Sequence, residues 1–197
     1  MFLDPLLYGF VFLGLFTPGP NVIMLTSSGV RFGFRRTLPH LFGVVIGVGI
    51  TAAVTAAGVG AIVLASPVLN LVLKLGAGAF ILWMAWGHWR ASARPRSAAD
   101  PDEKPLSFLG AVLFQWINPK VWAIAFAASA GYGGGQALWF EAARLGTAFS
   151  AVNLGVCLFW TAAGALLTAL LSTPAAWKIF LRTMSVLLAL TVLMLFR

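Results

Sequence analysis

Charge is what this sequence has least of. Charged residues are 9% of 197, and only five are acidic: Asp4, Asp100, Asp102, Glu103 and Glu141. All five fall outside the long apolar runs. An enzyme or a metal carrier working at membrane depth needs a His, Asp or Glu cluster, or a nucleophile–base pair, and those runs contain none. Cysteine is scarcer still. Cys157 stands alone, which excludes an intrachain disulfide, a CxxC redox pair and a thiolate cluster. No metal and no cofactor is therefore expected. The formal net charge is +8, but the basic residues are scattered at segment ends, without the stripe a nucleic-acid binder shows. They suit the anionic face of a membrane, so the partners expected are a lipid bilayer and a small solute, with no nucleic acid.

What is abundant is apolar length. Hydrophobic residues are 60% of the chain and mean hydropathy is +0.95. Six candidate spans follow, at about 6–28, 41–65, 68–89, 107–130, 146–171 and 177–196. Ser66-Pro67 and Ser172-Thr173-Pro174 separate neighbouring spans as turn signals. The first run is too long for a signal-peptide core and lacks a small-residue cleavage site, so it reads as retained. The fold class expected is an all-α integral membrane protein in a single domain, 1–197. Its halves are about 1–89 and 107–197, joined by a flexible polar loop at 90–106. A second loop opens at Gly131 and reaches Ala143, with a short interfacial stretch around Trp139.

Lysine and arginine crowd one side. Arg31, Arg35 and Arg36 follow the first span, Arg90, Arg94, Arg96 and Lys104 the third, and Lys178 the fifth, against Arg144 and Arg197 on the other side. The positive-inside bias puts both termini outside the cytoplasm. Arg182, one turn beyond Lys178, reaches the cytoplasmic face by snorkelling. Trp86 and Trp89 at a span end fit an aromatic belt.

Two spans are interrupted. Thr17-Pro18-Gly19-Pro20-Asn21 sits inside the first and Asn118-Pro119-Lys120 inside the fourth, their prolines 99 residues apart, close to half the chain. Proline removes an amide donor and clashes with the preceding turn. Broken backbone at membrane depth persists only where protein buries it or a hydrated cavity receives it. Three spans per half force the second copy to insert upside down, and an inverted repeat with a broken first helix in each half points to a midplane transport site. The half-helices from Val22 and Val121 then start near the midplane, each presenting unpaired amides and a positive dipole end to one anion. Lys120 adds a full charge, Thr17, Asn21 and Asn118 add hydrogen-bonding groups, and carbonyls near 13–16 and 114–117 offer acceptors for an ammonium group. A zwitterion fits. The candidate substrate-binding residues are Thr17, Pro18, Gly19, Pro20, Asn21, Asn118, Pro119 and Lys120. The bland alternatives are kinks that only shape packing and a lysine that snorkels along a hydrated crevice. His40 and His88, near span ends, read as interfacial. Gly43, Gly47, Thr51 and Thr55 give the second span one small face for close helix packing.

These motifs, TPGPN in a first span, Arg31-x-Gly33-x-Arg35-Arg36, a Gly-x3-Gly second span and NPK in the fourth, resemble those of the lysine exporter (LysE/RhtB) family. The resemblance covers almost the whole chain. It implies a multi-pass carrier of the bacterial inner (cytoplasmic) membrane. Its activity would be export of a small amino acid or derivative, such as lysine, arginine, threonine or homoserine lactone-like compounds, driven by the proton gradient. One departure narrows this. Where relatives carry an acidic residue after the second glycine, this chain has Val48, which removes a proton carrier and a selector of cationic side chains. A neutral solute is the better fit. A channel or a structural membrane subunit is the alternative. Homo-oligomerisation is left open.

Overall fold

The computed structural model describes residues 4–17, 19–58, 66–93, 103–133, 135–171 and 173–193. All regular structure among them is helical. The first expected span is two helices, α1 (Pro5–Phe16) and α2 (Pro20–Phe32). Asp4 starts α1 by accepting the Leu6 and Leu7 amides at 3.0 and 3.4 Å, with Pro5 at the first helical position, where no amide partner is needed. A single residue, Gly33, joins α2 to α3 (Phe34–Ala56). Its φ of +80° is a conformation that side chains resist, so the expected basic loop is a one-residue joint. α3 ends at Ala56, nine residues before the expected span does, and residues 59–65 lie outside those described.

α4 (Pro67–Ser92) matches the third expected span. The fourth is again a pair, α5 (Phe108–Ile117) and α6 (Pro119–Tyr132). Ser107 caps α5, taking the Gly110 amide at 3.1 Å. α7 (Leu138–Leu170) begins eight residues before the expected fifth span, and α8 (Pro174–Leu193) completes the chain. The 33 residues of α7 extend about 50 Å, longer than a bilayer core is thick. Its first turns absorb residues 138–143 of the loop expected at 131–143. They also carry a buried ion pair, Glu141 with Arg144, whose guanidinium donates as well to the Tyr132 carbonyl at the end of α6. Most of the expected polar loop at 90–106 lies outside the described residues.

The core forms around α3 and α7, and glycine sets how closely they approach. A Cβ on Gly49 would stand 1.9 Å from Ser150 Oγ, and one on Gly146 would stand 3.1 Å from the Ala53 Cβ. Gly43 and Gly47 seat α3 against α5: an added Cβ would meet the Phe108 carbonyl at 2.3 Å and Gln115 Cγ at 2.7 Å. The small face of the second span is thus a packing face, as expected. α2 runs antiparallel along α7, Gly29 against Thr161 and Gly164 against Thr26. α1 also packs on α7, α6 on α3, and α4 on α8. At one end Arg31 pairs with Glu103, and Arg36 donates to the Glu103 carbonyl at 3.2 Å, so the end of α2 meets the approach to α5. Arg182 lies over the Trp89 ring at 4.7 Å.

The outer surface is apolar. Leu6, Leu13, Trp83, Leu166 and Ile179 are each more than 60% exposed, a surface that suits lipid and not water. Among the described residues three helical runs are long and apolar enough to cross a membrane: Pro20–Ala56, Leu138–Leu170 and Pro174–Leu193. The helices Pro5–Phe16 and Phe108–Ile117 are apolar but shorter. The chain is an all-helical membrane protein.

Candidate functional site

Both breaks open onto one cavity. Gly19, Pro20, Asn21 and Val22 line it from the start of α2, and Asn118, Lys120 and Val121 from the start of α6. Neither helix has a side-chain cap, in contrast to α1 and α5. Two positive dipole ends with uncapped amides therefore adjoin a single space, a setting that favours an anion.

Of the residues singled out in the sequence, Thr17, Gly19, Pro20, Asn21, Asn118, Pro119 and Lys120 come together here, while Pro18 lies outside the described residues. Lys120 Nζ donates to the Thr17 carbonyl at 2.6 Å and to its hydroxyl at 2.9 Å. The ammonium thus sits at the negative end of α1, and its stem lies along Gly19, where an added Cβ would come within 3.0 Å of it. Several carbonyls freed by the breaks also have donors from the protein itself. Leu13 and Gly14 accept from the Thr17 amide and hydroxyl at 3.3 and 2.9 Å. Trp116 accepts from the Trp122 indole at 2.9 Å. An incoming ammonium group meets fewer open acceptors than the sequence implied.

Gln115 links the breaks and was not among the sequence candidates. Fully buried, it forms a reciprocal amide pair with Asn21, at 2.8 Å from Asn21 Nδ2 to Gln115 Oε1 and 3.2 Å in return. Its Oε1 also accepts from Asn118 Nδ2 at 3.3 Å, and its Nε2 donates to the Ala111 carbonyl at 2.9 Å. The signal for it was faint: one amide in the apolar run Phe114–Ile117, less than a turn before the break.

α7 supplies the remaining wall, Asn153, Val156, Cys157 and Trp160. Their i, i+3, i+4, i+7 spacing is one helical face, legible as a stripe once its direction is known. Cys157 is buried, its thiol 3.5 Å from Asn153 Oδ1. The cavity measures about 20 Å3, room for a water or two and too small for an amino acid. Among the described residues no group of three His, Cys, Asp or Glu is placed to hold a metal. His40 and His88, expected at an interface, are both buried, and neither lines this cavity.

Residues 12–196 match the model of the family described as LysE type translocator. A cysteine/O-acetylserine efflux protein of Klebsiella pneumoniae is 35% identical over 105 residues, 53% of this chain and 52% of that one. The protein of the same name in Escherichia coli (strain K12) is 30% identical over the same length and shares. The chain thus spans about half the length of the curated relatives it matches. No solved structure matches it. With the family match running over nearly its whole length, the chain belongs to the LysE type translocators, a family of transporters and not of enzymes.

Proposed function

We propose that this protein exports a small, neutral amino acid or amino-acid derivative from the cytoplasm across the bacterial inner membrane. The observation that carries the reading is the meeting of two uncapped half-helix starts at one cavity, with Lys120 beside them. The solute's carboxylate takes the Val22 amide and the Lys120 ammonium, and draws the Val121 amide from the Asn118 carbonyl, to which it donates at 3.1 Å in this conformation. Its own ammonium replaces Lys120 at the Thr17 carbonyl. Cysteine and O-acetylserine, named for the relatives, are small and carry no net side-chain charge, which supports a neutral solute. Val48, buried in α3 where an acidic selector is expected, supports it too.

The architecture proposed is six spans in two inverted repeats, α1–α4 and α5–α8. Its support is an exchange of partners: α1 and α2 pack on α7, while α5 and α6 pack on α3. The meeting of Arg31 and Arg36 with Glu103 also brings the end of the first broken pair to the start of the second. The cavity is too small for the solute in this conformation, so export requires it to widen as the halves rock around a fixed site. We assign the proton gradient as the driving force and leave the proton's carrier unassigned.

Purified protein in liposomes tests the reading through counterflow of labelled small neutral amino acids. Saturable counterflow is expected, and Lys120→Met should abolish it while leaving the amount of folded protein unchanged. Flux that does not saturate would make the protein a channel. Parental counterflow in Lys120→Met would remove the carboxylate pairing.

A further inference from the structure

Two residues of the cavity lining each carry a buried polar atom with no hydrogen-bond partner among the described residues, and the two atoms are chemically complementary. One is Asn118 Oδ1, an acceptor. Asn118 is 1% exposed, and its Nδ2 is already committed to Gln115 Oε1, so the carbonyl end is the one left over. The other is the indole Nε1 of Trp160, a donor. Its ring is fixed by contacts with Phe16 and Phe159, both at 5.3 Å between centroids. Folded proteins rarely leave such groups unpaired, because each carries its full desolvation penalty. Both residues line the cavity that the two half-helix starts adjoin.

We infer that Asn118 and Trp160 form a side-chain subsite for a solute whose side chain both donates and accepts a hydrogen bond, a small hydroxyl or thiol. The inference rests on the cavity being the solute site. Lys120 and the start of α2 serve the carboxylate, which leaves this pair for the side chain. A hydroxyl donates to Asn118 Oδ1 and accepts from Trp160 Nε1, satisfying both. An aliphatic side chain of equal size satisfies neither. An ester accepts from the indole but has no hydrogen to give Asn118. The pair therefore ranks solutes: hydroxyl or thiol first, ester next, alkyl last.

The experiment is competition for counterflow in liposomes by L-serine, O-acetyl-L-serine and L-2-aminobutyrate, the last matching serine in size with a methyl in place of the hydroxyl. Serine should compete about tenfold to a hundredfold better than 2-aminobutyrate, the range set by leaving a buried donor or acceptor unpaired. Trp160→Phe keeps an aromatic ring and removes the N–H, so it should bring the two towards parity. Equal competition in the parental protein overturns the subsite, whatever the variant does. A preference that persists unchanged in Trp160→Phe also overturns it, since the pair would then serve bound water alone. Failure of every amino acid to elicit counterflow would instead overturn the export reading beneath it.

Discussion

Gln115 shows how much a single side chain carries that no motif announces. Its amide sits between the two breaks and engages Asn21, Asn118 and the Ala111 carbonyl together. Gln115→Leu keeps comparable bulk but strips partners from both asparagines, at about 1–3 kcal/mol for each buried group left unpaired. It should lower the melting temperature of the purified protein and nearly eliminate counterflow. Gln115→Glu retains the acceptor for Asn21 and Asn118 but loses the donor to Asn21 Oδ1 and Ala111, so it should fall between Leu and the parent on both measures. Equal loss in Leu and Glu would reduce Gln115 to a matter of shape. The prolines, Asn21, Asn118 and Lys120 were legible because each breaks a rule for an apolar helix. A mid-helix glutamine breaks that rule too, but weakly, and nothing in the sequence names a partner 94 residues away. Trp160 was hidden differently: an aromatic in an apolar helix looks like core or lipid-facing surface until its N–H is seen to be buried and unpaired.

Helices are held here by absence of side chain as much as by presence. The element types and the two breaks could be read from hydropathy and proline. Which small residues seat a neighbouring helix could not, since Gly29 meets Thr161 and Gly164 meets Thr26 across helices distant in sequence, in no shared pattern. What a glycine faces decides the sign of a substitution. Alanine in place of glycine favours a helix by about 1 kcal/mol. At Gly155, where an added methyl meets nothing within 4 Å, that gain should appear as a higher melting temperature. At Gly164 the methyl would lie 2.2 Å from the Thr26 carbonyl, and overpacking of about 1–3 kcal/mol should outweigh the gain. Thermal unfolding of Gly155→Ala and Gly164→Ala in detergent should therefore move in opposite directions. A rise for both would mean that α2 and α7 are not in backbone contact. The buried Glu141–Arg144 pair belongs with these surprises: by composition it is a loop, yet it lies three residues apart on one helix face and closes the end of α6.

The orientation of the whole molecule follows from which loops share a face. Arg31 and Arg36 both reach Glu103, so the α2–α3 joint and the approach to α5 lie in the same compartment whichever that is. Arg182 against Trp89 brings the end of α4 against the first half of α8. Under the positive-inside bias we propose that this basic face is cytoplasmic and that the α6–α7 turn, residues 133–137 with no lysine or arginine, lies outside. Lys104 and Gln136 are exposed reporters for the two faces. Cys157 is buried and is the chain's one native thiol, so Cys157→Ser gives a silent background. On it, Gln136→Cys should react with a membrane-impermeant maleimide in intact cells, while Lys104→Cys should react only after permeabilisation. The reverse pattern would invert the assignment and make the proposed direction of export untenable in its present form. Reaction of both from outside would place the two loops on one face, which an upside-down second half forbids, and would end the inverted-repeat architecture.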